Sequence, residues 1–197
     1  ADRDRSIMSA GFVGALRPGN IGPFTWRDTR PYPVGDGVLP VVVHLGQEKN
    51  DRRRRGSQFV LEATGHPTTS PADLWWAWHT TSTVLLDGDP RETHPDAPCW
   101  YRLAMDGTPW RDPATGLLQP LSGDAVGAVV QRLLHAVGAP GNWQGGSMRS
   151  GVATALSQDG APAQDAALVT RHAAFENLTK YVRPRPGRVG TAARLGL

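Results

Sequence analysis

The 197-residue chain is 39% hydrophobic and 20% charged, with 23 glycines and 17 prolines, which fits one turn-rich globular domain able to bury a sizeable core and excludes fibrous and disordered classes. No apolar run approaches the ~18 to 20 residues of a membrane span, the opening ADRDRS lacks the apolar centre of a signal peptide, and a single cysteine, Cys99, excludes an internal disulfide and any multi-cysteine metal cluster, so an intracellular location is expected. The net charge of +3 conceals a division along the chain, because residues 1–60 carry +4, residues 61–130 carry −6 and residues 131–197 carry +5, two basic ends that would attract a polyanion if they converge.

Ser6 to Leu16 reads as a helix with Ile7, Phe12, Val13 and Leu16 apolar, broken at Arg17 by the proline that follows. Val38 to Leu45 and Gln58 to Leu61 are β-rich runs flanking the polar GQEKNDRRRRGS, so they predict a hairpin with Lys49 on or beside its tip. Ser70-Pro71-Ala72-Asp73 is a helix start. The helix it opens carries Trp75, Trp76 and Trp78, three aromatics close enough together to fill a core rather than stack on bases. After Ser122, the residues Val126, Val129, Val130, Leu133, Leu134 and Val137 recur at helical spacing up to Gly138. Shorter helices are expected over Met148 to Gln158, Gln164 to Arg171 and Glu176 to Val182, ahead of a tail containing RPRPGR. No repeat or long linker divides the chain, so a single domain over 1–197 is expected. His94 and Cys99 are a pair of metal-ligand types without companions and propose no metal site.

Four motifs in order carry a resemblance. Ala15-Leu16-Arg17-Pro18-Gly19-Asn20 follows a helix as the G-x-R-x-x-E turn of tyrosine recombinases (the phage-integrase family) does. Lys49-Asn50-Asp51 is similar to the lysine of that family's β-hairpin, and Ser147-Met148-Arg149-Ser150-Gly151-Val152-Ala153-Thr154-Ala155 resembles its H-S-x-R-x-G-x-A-T-A box. His172 precedes Tyr181 by nine residues, the family's spacing between its last histidine and its nucleophile. CWYRLAMDGTPW and LSGDAVGAVV stand where the family has a short strand with a turn and a long helix. The ending YVRPRPGR and SGVATALSQDGAP look closest to recombinases of eukaryotic mobile elements of the DIRS and Crypton kinds.

The resemblance implies an α+β, mainly helical catalytic domain with a small antiparallel hairpin or sheet in its N-terminal third. It also implies DNA strand breakage and rejoining through a covalent 3′-phosphotyrosine, as in recombination, integration and transposition. Tyr181 would be the nucleophile. A phenol of pKa ~10 forms an ester that a DNA hydroxyl can reverse. Arg17 and Arg149 would clamp the nonbridging oxygens with planar, permanently charged forks. His172 would donate a further hydrogen bond, and Lys49 would protonate the leaving 5′ oxygen. No cofactor or metal is implied. Arg52, Arg53, Arg54 and Arg55, with Arg171, Lys180 and Arg183, would contact DNA phosphates. The partner would be double-stranded DNA, on which the protein would assemble as a dimer or tetramer while this chain alone stays monomeric, without a membrane. Its place would be the nucleus in a eukaryote, or the cytoplasm and nucleoid in a bacterium.

Two positions depart from the pattern. Gly146 stands where the box has histidine, and Asn20 where the first motif has glutamate. A glycine accepts no proton, and an amide orients an arginine less strongly than a carboxylate. The chain also begins one short helix before Arg17, so the N-terminal helical domain that usually completes the grip on the duplex is expected to be missing. A second reading is therefore a catalytically impaired or domesticated recombinase fold that only binds DNA or a protein partner. A third, a helical interaction domain without DNA contact, is discouraged by the segregated charge.

Overall fold

In the computed structural model, residues 1–33, 37–46, 57–66, 68–144 and 146–170 are described. The first helix, α1 (Asp2–Val13), buries Ser6, Ile7, Ala10 and Gly11. It starts ahead of the expected Ser6 because Asp2 and Asp4 in its first turn favour the positive end of the helix dipole. It also stops early. Ala15 takes a left-handed φ of 45°, the Leu16 N–H reaches back to the Gly11 carbonyl at 2.8 Å and the Ala15 N–H to Phe12 at 2.9 Å. That is a Schellman turn, and it ends the helix at Val13 before any influence of Pro18. Pro18 instead occupies the first position of a new helix, α2 (Pro18–Ile21), where its missing N–H costs nothing.

The sheet has three antiparallel strands, β1 (Thr29–Pro31), β2 (Val41–Leu45) and β3 (Ser57–Leu61), in the order β1-β2-β3. The expected hairpin is present, with Val41 opposite Leu61 and Leu45 opposite Ser57. β1 adds a strand that three residues ending in proline do not announce. Val41, Val43 and Leu45 face the core while Val42 and His44 are half-buried, the alternation a strand imposes.

The remaining described helices are α3 (Pro71–Leu85), α4 (Pro90–Thr93), α5 (Gly123–Ala136), α6 (Ser147–Asp159) and α7 (Ala163–Thr170). The Ser122 hydroxyl caps α5 by accepting from the Ala125 N–H at 3.1 Å. Val126, Val129 and Val130 are buried, whereas Val137 lies past the last turn and is 77% exposed. Gly160, at φ 88°, closes α6. The segment between α4 and α5 forms no strand; isolated bridges join Leu103 to Pro109, Arg111 to Leu118 and Tyr101 to Pro120.

The core gathers on the expected tryptophan helix. Trp75 and Trp78 are enclosed with Trp26, Trp100 and Tyr101, and Trp76 packs at the edge of the cluster. Three of the polar tips find partners, as Trp78 donates to the Cys99 carbonyl at 2.8 Å, Trp100 to the Ser6 hydroxyl at 3.1 Å and Tyr101 to the Ser82 hydroxyl at 3.2 Å, whereas the buried Trp26 and Trp75 indole nitrogens make no hydrogen bond. The architecture is α+β, mainly helical, with a small antiparallel sheet in the N-terminal third.

Two glycine contacts draw α2 against α5. A Cβ on Gly22 would overlap the Leu121 carbonyl oxygen, and one on Gly123 would come within 3.3 Å of the Gly19 nitrogen. At Gly22 only hydrogen permits this spacing, while at Gly123 a Cβ would be a tight contact, and the close approach frames the groove described next.

Candidate functional site

The turn that ends α1 delivers Arg17 as the N-cap residue of α2, half-buried, in an extended conformation at φ −79° and ψ 147°. Arg149 comes from the first turn of α6 and is 8% exposed. Its Nη1 donates to the Ala15 carbonyl at 3.5 Å, across a sequence separation of 134 residues. The Ala15 carbonyl lies two residues before Arg17, so the left-handed turn and the docking of α6 bring the two arginine-bearing segments together. Met148 secures that docking. It is enclosed, and its thioether fills the space above Gly11 on α1, where a Cβ would collide with it.

Gly146 is the N-cap residue of α6, exposed, with φ −67° and ψ −16°. Those are ordinary right-handed angles, and nothing lies within 4 Å of a Cβ built there. The residue opens on a groove of about 600 Å³ that runs from Pro18 and Gly19, past Gly123, Asp124 and Gln131 on α5, to Gln144 and Gly146. A second depression, of about 350 Å³, lies between α2 and the end of β2; Asn20, Asp28 and Gly46 are in its wall. Gly46 is the last described residue before the connection that carries Lys49, so β2 leaves the sheet beside α2.

Lys49 and Arg52 to Arg55 lie outside the described residues, as do Arg171, His172, Lys180, Tyr181 and Arg183. Of the catalytic residues named from sequence, the structure therefore describes Arg17, Arg149 and the Gly146 position. Asp124 escaped the sequence reading, because helix periodicity marks it only as a first-turn carboxylate and says nothing of the groove it borders. His79 escaped it too. Its Nε2 lies 3.1 Å from Asp89 Oδ1, and its ring sits among Trp26, Trp75 and Trp76.

Cys99 is fully enclosed, and burial pushes its thiol far up from the ordinary value. His94 Nδ1 lies 2.9 Å from the Thr93 hydroxyl. Among the described residues, no group of three or more His, Cys, Asp or Glu side chains could hold a metal ion. No described helix is long and apolar enough to cross a membrane.

Compared by sequence, the chain matches no family model and none of the curated proteins. Compared by structure, it resembles the XerH site-specific recombinase in a post-cleavage complex with a palindromic difH substrate, at TM-score 0.63 and 15% identity over 99% of this chain and 46% of that one. It also resembles a lambda integrase dimer bound to a COC′ core site, at TM-score 0.53 and 16% identity over 95% of this chain and 54% of that one. The Tn1549 transposon integrase in complex with circular intermediate DNA follows at TM-score 0.51 and 11% identity, over 97% and 57%. The chain thus spans about half the length of these proteins, and its fold is that of tyrosine-recombinase catalytic domains.

Proposed function

We propose that the chain is the catalytic domain of a site-specific DNA strand-exchange enzyme that works through a covalent 3′-phosphotyrosine. The observation that carries this reading is the Arg149 guanidinium held on the Ala15 carbonyl, in the turn that presents Arg17, within this fold. Two guanidiniums converging on one phosphate neutralise charge developing on its nonbridging oxygens, the electrostatic requirement of a metal-free phosphoryl transfer. Tyr181 attacks the phosphorus, Lys49 protonates the departing 5′ oxygen and His172 adds a hydrogen bond to the phosphate. Arg52 to Arg55, Arg171, Lys180 and Arg183 bind the duplex backbone, and synapsis on DNA brings two or four copies together.

The test is incubation of the full-length protein with a nicked suicide duplex, followed by denaturing electrophoresis. The expected result is a slow covalent adduct, lost in Tyr181→Phe and reduced by ~10²-fold or more in Arg149→Ala. DNA binding that persists with no adduct in any variant would leave the second reading, a decayed fold that only binds. Gly146 and Asn20 are the residues that favour that reading.

A further inference from the structure

Met148 immediately precedes Arg149 in the first turn of α6 and is 1% exposed. Its tip enters the one place on α1 where a side chain is missing. A Cβ on Gly11 would collide with the Met148 sulfur, come within 2.8 Å of Cε and sit 3.1 Å from Ile21 Cδ1 of α2. The Gly11 carbonyl, in turn, accepts the Leu16 N–H at 2.8 Å and so closes the turn ahead of Arg17. Gly11 thus meets α6, α2 and the arginine turn at once. One turn along α6 the relation is reversed, with Phe12 of α1 over Gly151 and its Cε2 3.3 Å from a Cβ built there. These two reciprocal fits of side chain over glycine lie on either side of Arg149, and they set how deeply and at what rotation α6 rests on α1. We propose that Met148 and Gly11 are positioning residues, whose fit holds the Arg149 guanidinium in the alignment with Arg17 that strand cleavage uses.

The inference rests on the strand-cleavage reading above, in which Arg149 and Arg17 hold one phosphate. Arg149 Nη1 reaches the Ala15 carbonyl at 3.5 Å, the far end of hydrogen-bond range, so a shift of α6 by a few tenths of an ångström separates them. A methionine in open space swings its tip aside when crowded. This one is enclosed, and a methyl on Gly11 is pressed from the other side by Ile21, itself fully buried. The response left to the packed core is movement of a helix, α6 away from α1 or α2 away from the turn, and each movement carries an arginine with it. Crowding of this kind changes where a guanidinium stands and leaves its charge alone. Attraction for the duplex is therefore kept while the alignment needed for chemistry is lost.

The experiment measures single-turnover adduct formation on a nicked suicide duplex over a range of duplex concentrations, together with melting temperature. Full-length protein is used in four forms: unaltered, Gly11→Ala, Met148→Val and the double variant. The expected result for Gly11→Ala is a rate at saturating duplex lowered by ~10²-fold, with the half-saturating concentration retained. Its melting temperature is retained too, because the helix preference of alanine over glycine offsets the crowding. Valine at 148 ends short of the space over Gly11, so in the double variant the alanine methyl has room and the saturating rate recovers. A purely structural contact would lower the melting temperature and leave the saturating rate in place, and that outcome overturns the proposal. So does a Gly11→Ala variant that cleaves at the unaltered rate, or a folded double variant no faster than Gly11→Ala; both leave strand cleavage itself standing. Where the valine variants do not stay folded at the assay temperature, the saturating rate of Gly11→Ala decides alone. An inert unaltered protein removes the cleavage reading and this inference with it.

Discussion

Gly146 shows how a residue can be glycine without the backbone requiring it. Its right-handed φ and ψ suit any residue, and the space beyond its Cα is open. Gly146→His should therefore fold normally, with stability within about 0.5 kcal/mol of the unaltered chain, and should speed adduct formation; thermal melting and the suicide-substrate assay check the two halves separately. Gly22 is the opposite case. A methyl there meets the Leu121 carbonyl oxygen, a backbone atom that cannot turn aside. Gly22→Ala should cost about 1 to 3 kcal/mol by forcing α2 away from α5. Gly19→Ala, three residues away with nothing within 4 Å of its Cβ, should stay within about 0.5 kcal/mol. Chemical denaturation of the two variants checks the contrast, and equal losses would refute it.

At the scale of elements, α3 and α4 are joined by a titrating pair. The Arg91 guanidinium, donating to Asp89 Oδ2 at 2.6 Å, holds that carboxyl well below the usual carboxylate range. Burial lowers the His79 imidazole below its ordinary value, against the opposing pull of Asp89. Both groups bind protons more readily in the unfolded chain, so both make stability rise with pH. The Asp89 contribution is complete above ~3.9 and is lost as pH falls below that; the His79 contribution is complete above ~6.5 and is lost as pH falls beneath it. His79→Phe keeps a ring among the three tryptophans and removes the titration. Melting temperatures between pH 7 and pH 5 should consequently fall less in His79→Phe than in the unaltered chain, and parallel curves would refute the assignment.

Elements that declare themselves locally were legible in the sequence: α5 by its valine spacing and serine cap, the β2–β3 hairpin by its flanking β-branched runs, and the end of α6 by Gly160. The end of α1 was not, since it depends on an alanine adopting a conformation usually left to glycine. β1 was not, since three residues ending in proline acquire strand geometry only from β2. Motif spacing named Arg17 and Arg149 as candidates, and their segments meet in the fold. The hydrogen bond from Arg149 to the Ala15 carbonyl, and the position of Asp124 on the groove, are products of tertiary packing that no local pattern encodes.

For the whole molecule, the charge division makes a prediction about association. Duplex binding should show little sequence preference and a steep loss of affinity with salt, because arginine–phosphate contacts release counterions. Replacing Arg52 to Arg55 by alanine should weaken binding broadly and flatten the salt slope by up to about 3 to 4 in log–log units, if each side chain neutralises one phosphate. Titrations of labelled duplex at several salt concentrations measure this, and an unchanged slope would remove those arginines from the interface.

The contact between Arg149 and Ala15 spans 134 residues of chain. A pairing so distant in sequence closes a long loop and belongs to the slow, late part of folding. During synthesis the first arginine leaves the ribosome long before the second, and no partly made chain can hold the two together until α6 has emerged and docked on α1. The order of synthesis thus acts as a safeguard: the chain brings its two arginine-bearing segments together only when most of the fold that holds them is already built.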